Sequence, residues 1–208
     1  MNKLKNKKSK ALIINKTFLK SHIDSIPLNA FGVFATIRRS KLHKLPNYPE
    51  DIHGCIGYWS PDYSIITPQN IFTHLIDVSN SALTKDNRRT YFPPITSDPE
   101  ATIEIDFMLL PKYSIDSRSG MISVDSSIGA SIGASIGSSN NLIPFNNSIY
   151  GLIVEGSNNT RATYLPHVFP SNTSWNELKK SLISKARATN TKNKFYAYKI
   201  NQVKLKLF

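Results

Sequence analysis

One cysteine, Cys55, stands in the 208 residues. An intrachain disulfide is therefore impossible, and so is a cysteine-rich zinc site. Apolar runs are short: none approaches the roughly 20 residues that a membrane-spanning helix needs. The basic start Met1–Lys10 is followed only by Ala11–Ile14, too little for the apolar region of a secretory signal. A phosphate-binding loop is also lacking, because the glycines of the Ser-Ile-Gly stretch have neither the lysine nor the strand–helix setting it requires. These absences predict an intracellular protein of the cytoplasm or nucleus, with no membrane span and no cofactor. Asn-x-Ser/Thr triplets such as Asn172-Thr173-Ser174 then read as chance products of an Asn- and Ser-rich chain.

Acidic residues are scarce at both ends. Residues 1–23 hold seven Lys and no acid, and residues 178–208 hold nine Lys or Arg and no acid. The ten basic and fourteen acidic residues between them leave that segment at −4, so the net charge of +12 belongs to the ends. Cationic tails attract polyanions in a weak, salt-dependent and non-specific way. Such ends fit either non-specific nucleic-acid contact or a solubilising tail.

A hydrophobic content of 40% predicts an ordinary folded chain with a proper core. Residues 1–15 read as a flexible basic arm, and 16–208 as the folded domain. A short helix is expected from Thr17 toward Ile26, stopping before Pro27. Gly32–Arg39 reads as a strand with Val33, Ala35 and Ile37 on one face. Lys41–Asp51 is a polar loop, and Ile52–Trp59 a second strand. Thr67-Pro68 caps a helix in which Ile71, Phe72, Leu75, Ile76, Ser79 and Ala82 recur at helical spacing through about Thr84. Phe92-Pro93-Pro94 stops regular structure.

Ala101–Leu110 alternates, with Ile103, Ile105, Phe107 and Leu109 set against Thr102, Glu104, Asp106 and Met108. That pattern suits an antiparallel sheet covered on one side. Glu104 and Asp106 then sit on a solvated face rather than in a two-carboxylate active site. Residues 126–141 are a low-complexity insertion of repeated Ser-Ile-Gly-Ala units. Gly151–Glu155 and Arg161–Leu165 form a hairpin around Gly156–Asn159. Ser174 and Glu177 make a capping box for a helix with Leu178, Leu182 and Ile183 inward. The tail Phe195–Phe208 returns as one or two strands. The layout is α+β, mainly antiparallel sheet with packed helices.

The most specific segment is Gly54-Cys55-Ile56-Gly57 followed by Ser60, downstream of Gly32-Val33-Phe34-Ala35-Thr36-Ile37. Ala82 through Pro94 then brings Asp86 and Arg88 ahead of the paired prolines. Gly151-Leu152-Ile153-Val154, Ala162-Thr163-Tyr164-Leu165-Pro166 and Trp175 complete an ordered set. Through these motifs the chain resembles the AMMECR domain family, named for the Alport, midface hypoplasia and elliptocytosis chromosomal region. The resemblance implies a large and a smaller lobe with the Gly-Cys-Ile-Gly segment at a cleft. Three positions depart from the family pattern. His53 stands where Arg is usual, Tyr150 replaces a usual His, and His167 takes a usual Glu or Gln place. Arg89–Tyr91 are extra residues. The departures alter charge where a ligand would be held, which leaves room for a homologue that keeps the fold and little else.

On this reading His53, Cys55, Asp86 and Arg88 line the cleft, with Gly54, Gly57 and Tyr150 as further ligand-binding candidates. Cys55 becomes a nucleophile if a neighbour activates its thiol. His53, two residues away on a strand, would lie on the same side. The alternative is a small buried cysteine between glycines that shape a turn. Asp86 and Arg88 either pair structurally or grip an anionic group, with Asp86 orienting it or moving a proton. His43, His53 and Cys55 show no compact metal-ligand pattern, so no metal is expected. The expected ligand is a small or peptide-like anion, or a protein, and the residues leave open whether it is modified. The competing reading is a non-enzymatic adapter, or a nucleic-acid-associated regulatory module working through the basic ends.

Overall fold

The computed structural model describes residues 14–21, 23, 26–40, 51–91, 95–124, 141–157, 159–166, 168–189 and 192–208. Most of the basic arm, the loop at 41–50, the proline stop at 92–94 and the insertion at 126–140 lie outside these residues. So do His43 and His167. The chain divides into two compact units, Met1–Met108 with Asn201–Phe208, and Leu109–Ile200. Among the described residues, no helix is long and apolar enough to cross a membrane.

The elements in chain order are α1 (Lys16–Lys20), β1 (Ala30–Arg38), β2 (Ile52–Trp59), α2 (Pro68–Thr84), β3 (Thr102–Ile115), β4 (Met121–Val124), β5 (Asn141–Pro144), β6 (Gly151–Glu155), β7 (Arg161–Tyr164), α3 (Trp175–Ala186) and β8 (Lys194–Lys206). Short 3-10 turns occupy Asn87–Tyr91 and Ile95–Ser97. Strands pair in the order β2-β1-β3-β8-β6-β7, with β4 on β3 and β5 on β4. The β1–β2, β3–β4, β4–β5, β6–β7 and β6–β8 ladders are antiparallel. This is the mixed α+β fold that the alternating and helical patterns call for.

In the first unit α2 packs on β1 and β2. Its N-terminus forms because the Thr67 side chain accepts the Asn70 N–H and Pro68 needs no donor partner in the first turn. Ile71, Phe72, Leu75, Val78, Ala82 and Leu83 make the buried stripe. Val33, Ala35 and Ile37 are fully buried. Helix α1 is a single turn, shorter than expected, closed by the Ser21 N–H on the Thr17 carbonyl.

The second unit buries Leu152, Val154, Ala162, Phe195 and Ala197 together with Leu178, Leu182 and Ala186 of α3. The Ser174–Glu177 capping box is present in both directions. The tail is one long strand, β8. Two strands were not anticipated, β4 and β5, which bracket the insertion with Val124 and Asn141 as cross-strand partners.

The expectation of a solvated acidic face on β3 is corrected. Glu104 and Asp106 do not meet water: they are 8% and 2% exposed. Glu104 pairs with Arg38 on one side and with the Lys204 ammonium at 3.0 Å on the other. Asp106 accepts a hydrogen bond from the Gln202 amide at 2.7 Å. Both faces of β3 are covered over residues 103–108, and the acids of the polar face have partners there.

Candidate functional site

Among the described residues β2 is an edge strand that pairs with β1, in a register that includes Thr36↔Cys55 and Ile37↔Gly54. The register then slips between Ile37 and Arg38, so that Arg38 faces Ile52 and His53 is the extra residue of a bulge. Gly54 lies against the end of α2: a Cβ there would sit 2.0 Å from the Ala82 carbonyl oxygen. A Cβ on Gly57 would sit 2.2 Å from the Phe34 ring. Close packing therefore accounts for both glycines of the motif.

An edge strand presents main-chain groups with no strand beyond to pair them. At Cys55 both are taken by the segment that leaves α2. Asp86 Oδ2 accepts the Cys55 N–H at 2.9 Å, and Arg88 Nη2 donates to the Cys55 carbonyl at 3.4 Å. Asp86 also receives Arg88 Nη2 at 2.8 Å, Arg88 Nε at 3.1 Å and the Arg88 N–H at 2.9 Å. Burial raises the Asp86 pKa, but the Arg88 hydrogen bonds and the Cys55 N–H outweigh it and hold the carboxyl below its ordinary value. Arg88 and Asp86 thus act as one unit that mimics a neighbouring strand, with 29% of the Arg88 side chain exposed.

Cys55 as a residue is half-buried. Thr36 Oγ1 donates to its sulfur at 3.2 Å, from a side chain that is itself buried. The bulge interrupts regular strand alternation at His53, which lies near enough to Asp86 to feel its charge. The His53 ring is 4% exposed, and its Nδ1 accepts from Arg39 Nε at 3.3 Å and Nη2 at 3.1 Å. Arginine has no acceptor, so Nδ1 carries the lone pair and the proton sits on Nε2, bonded to the Leu83 backbone. Burial and the Arg39 charge lower its pKa to about 4. Arg39 itself is buried beside Asp98, whose carboxylate accepts the Ser40 N–H. Tyr150 belongs to the second unit, 9% exposed and edge-on to Tyr113. Among the described residues, no three His, Cys, Asp or Glu side chains gather in a way that could hold a metal ion.

The order of these motifs along the chain is that of one family, and the match to AMMECR1 runs over residues 2–208. The chain belongs to the AMMECR1 family. No curated protein matches it. Among solved structures it is similar to uncharacterised protein PH0010 from Pyrococcus horikoshii, with 18% identity and a TM-score of 0.53. That match covers 85% of this chain and 74% of the other. At that identity the likeness concerns the fold alone. This AMMECR1-family chain brings Gly54, Cys55, Asp86 and Arg88 into direct association and joins Thr36 to them. Thr36, Arg39 and the Leu83 carbonyl escaped sequence reasoning. Thr36 looks like an ordinary strand residue, and Arg39 reads as a surface charge in a basic pair.

Proposed function

We propose that the Cys55 corner of the first unit binds a small or peptide-like anionic ligand through Arg88, with the Cys55 thiol beside it. One observation carries the reading: Asp86 locks Arg88 and the Cys55 main chain into a single group while the guanidinium side chain stays partly exposed. A guanidinium fixed in advance loses little freedom when it takes up a carboxylate or phosphate. The Thr36 hydroxyl donates a hydrogen bond to the sulfur and fixes its position. His53 is no general base in this reading, since Arg39 occupies its acceptor nitrogen.

Alkylation of Cys55 by iodoacetamide, followed at low ionic strength with increasing inorganic phosphate, tests the proposal. The expected result is saturable protection in the wild type and none in Arg88→Met, with both proteins folded by circular dichroism. A thiol that reacts only in denaturant, or protection indifferent to Arg88, would remove the basis for the site.

A further inference from the structure

The second unit is cationic in its own right. Residues 109–200 contain ten Lys or Arg and four Asp or Glu. Glu177 is taken by the capping box, and Asp116 by the N–H groups of Arg118 and Ser119. Glu155, at the end of β6, is the cross-strand partner of Arg161 on β7 and of Lys194 on β8. Tyr196, two residues along β8 on the same face, hydrogen-bonds Glu155. The Lys112 ammonium of β3 lies 3.9 Å from the Tyr196 ring centroid.

Lys194, Glu155 and Arg161 therefore lie in one row across β8, β6 and β7, with Lys112 of the neighbouring β3 beside the row at Tyr196. At about 4.8 Å per strand the row is roughly 10 Å long, and Lys112 on the next strand extends the patch. Lys194 is exposed, and Lys112, Arg161 and Tyr196 are partly so. Burial lowers the Lys112 pKa, Glu155 opposes the shift, and the like charges of Lys194 and Arg161 add to it. Cross-strand pairing explains one cation per carboxylate. Three cations around one carboxylate crowd like charges together, an arrangement that an incoming polyanion relieves.

We propose that this row is a binding surface for the phosphodiester backbone of single-stranded nucleic acid, read without base specificity. Cations grouped on one face of a sheet suit a chain of phosphates, and the partly exposed Tyr196 adds an aromatic edge of the kind single-strand binders use. A membrane surface fits less well, because stable docking there needs apolar side chains beside the charges. The exposed large apolar residues described in this unit are Leu142, Ile149 and Val168, none of them in the row.

Fluorescence anisotropy of a labelled oligothymidylate, titrated with the full chain over a range of KCl concentrations, is the test. Replacing Arg161 and Lys194 together by Ala should weaken binding roughly tenfold and flatten the plot of log affinity against log salt by about 1.4, or about 0.7 per lost phosphate contact. Glu155→Gln should tighten binding severalfold, a gain that damage to the fold would not produce. An unchanged salt slope in the double variant would overturn the proposal, as would a Glu155→Gln protein that binds no tighter. Tighter capture by phosphatidylserine vesicles than by the oligonucleotide would overturn it too, in favour of a membrane partner. The Cys55 site plays no part in any of these outcomes.

Discussion

Asp86 accepts the backbone N–H of Cys55 at 2.9 Å, across 31 positions of sequence. The contact ties the end of α2 to the sheet edge and fixes where Arg88 can lie. Asp86→Asn keeps the shape but loses the charge that strengthens these hydrogen bonds. The variant should be less stable by about 1–3 kcal/mol in urea unfolding. Because the folded carboxyl is held below its ordinary value, its contribution is complete above the unfolded pKa near 3.9 and is lost as pH falls through the folded one. The wild-type advantage should therefore shrink below about pH 4, and an advantage constant down to acid would contradict the charge argument.

His53 should stay neutral well below the pH at which an ordinary histidine takes its proton. With a folded pKa of about 4 and an unfolded value near 6.5, the unfolded chain binds more protons between those limits. Stability from this group is present above about pH 6.5 and falls as the pH drops toward 4. NMR should show the Nε2–H tautomer at neutral pH and a ring that does not titrate between pH 7 and 5. A midpoint near 6.5 would mean that the ring is not held by Arg39.

Gly54 and Gly57 should differ in tolerance. A methyl group at 54 meets the main chain of α2, which cannot step aside, whereas at 57 it meets the side-chain ring of Phe34. Gly54→Ala is expected to cost about 3 kcal/mol or more, and Gly57→Ala less, in paired denaturant titrations. Equal costs would show that α2 shifts freely on β2.

Glu104 should behave as a buried partner and not as a surface acid. Its two oxygens engage Arg38 and Lys204. Arg38 and Lys204 are 32% and 56% exposed, so solvent screens part of the loss. Glu104→Gln should then destabilise by about 1–2 kcal/mol. A change within about 0.5 kcal/mol, the usual range for surface sites, would restore the solvated reading.

Much of the fold was legible because it rests on local chemistry. The Thr67-Pro68 cap and helical spacing mark α2, alternation marks β1 and β3, and Ser174 with Glu177 marks the start of α3. The pairing of Asp86 with Arg88 was legible too, being two residues apart. What escaped depends on distant partners. The partners of Glu104 stand 66 and 100 positions away, so the residue alone gives no sign that its face is covered. The bulge at His53 arises from β1–β2 register and leaves no periodic trace in the sequence. Strands β4 and β5 are four residues each, too short for a pattern to stand out.

An anion-accepting corner beside the Cys55 thiol should discriminate between two alkylating agents of like size and different charge. Cys55 should react with iodoacetate, relative to iodoacetamide, severalfold faster than a free thiol does at low salt, because Arg88 attracts the carboxylate. The preference should vanish in Arg88→Met. A ratio equal to that of a free thiol, unchanged by the Arg88 substitution, would mean that Arg88 draws no anion to Cys55.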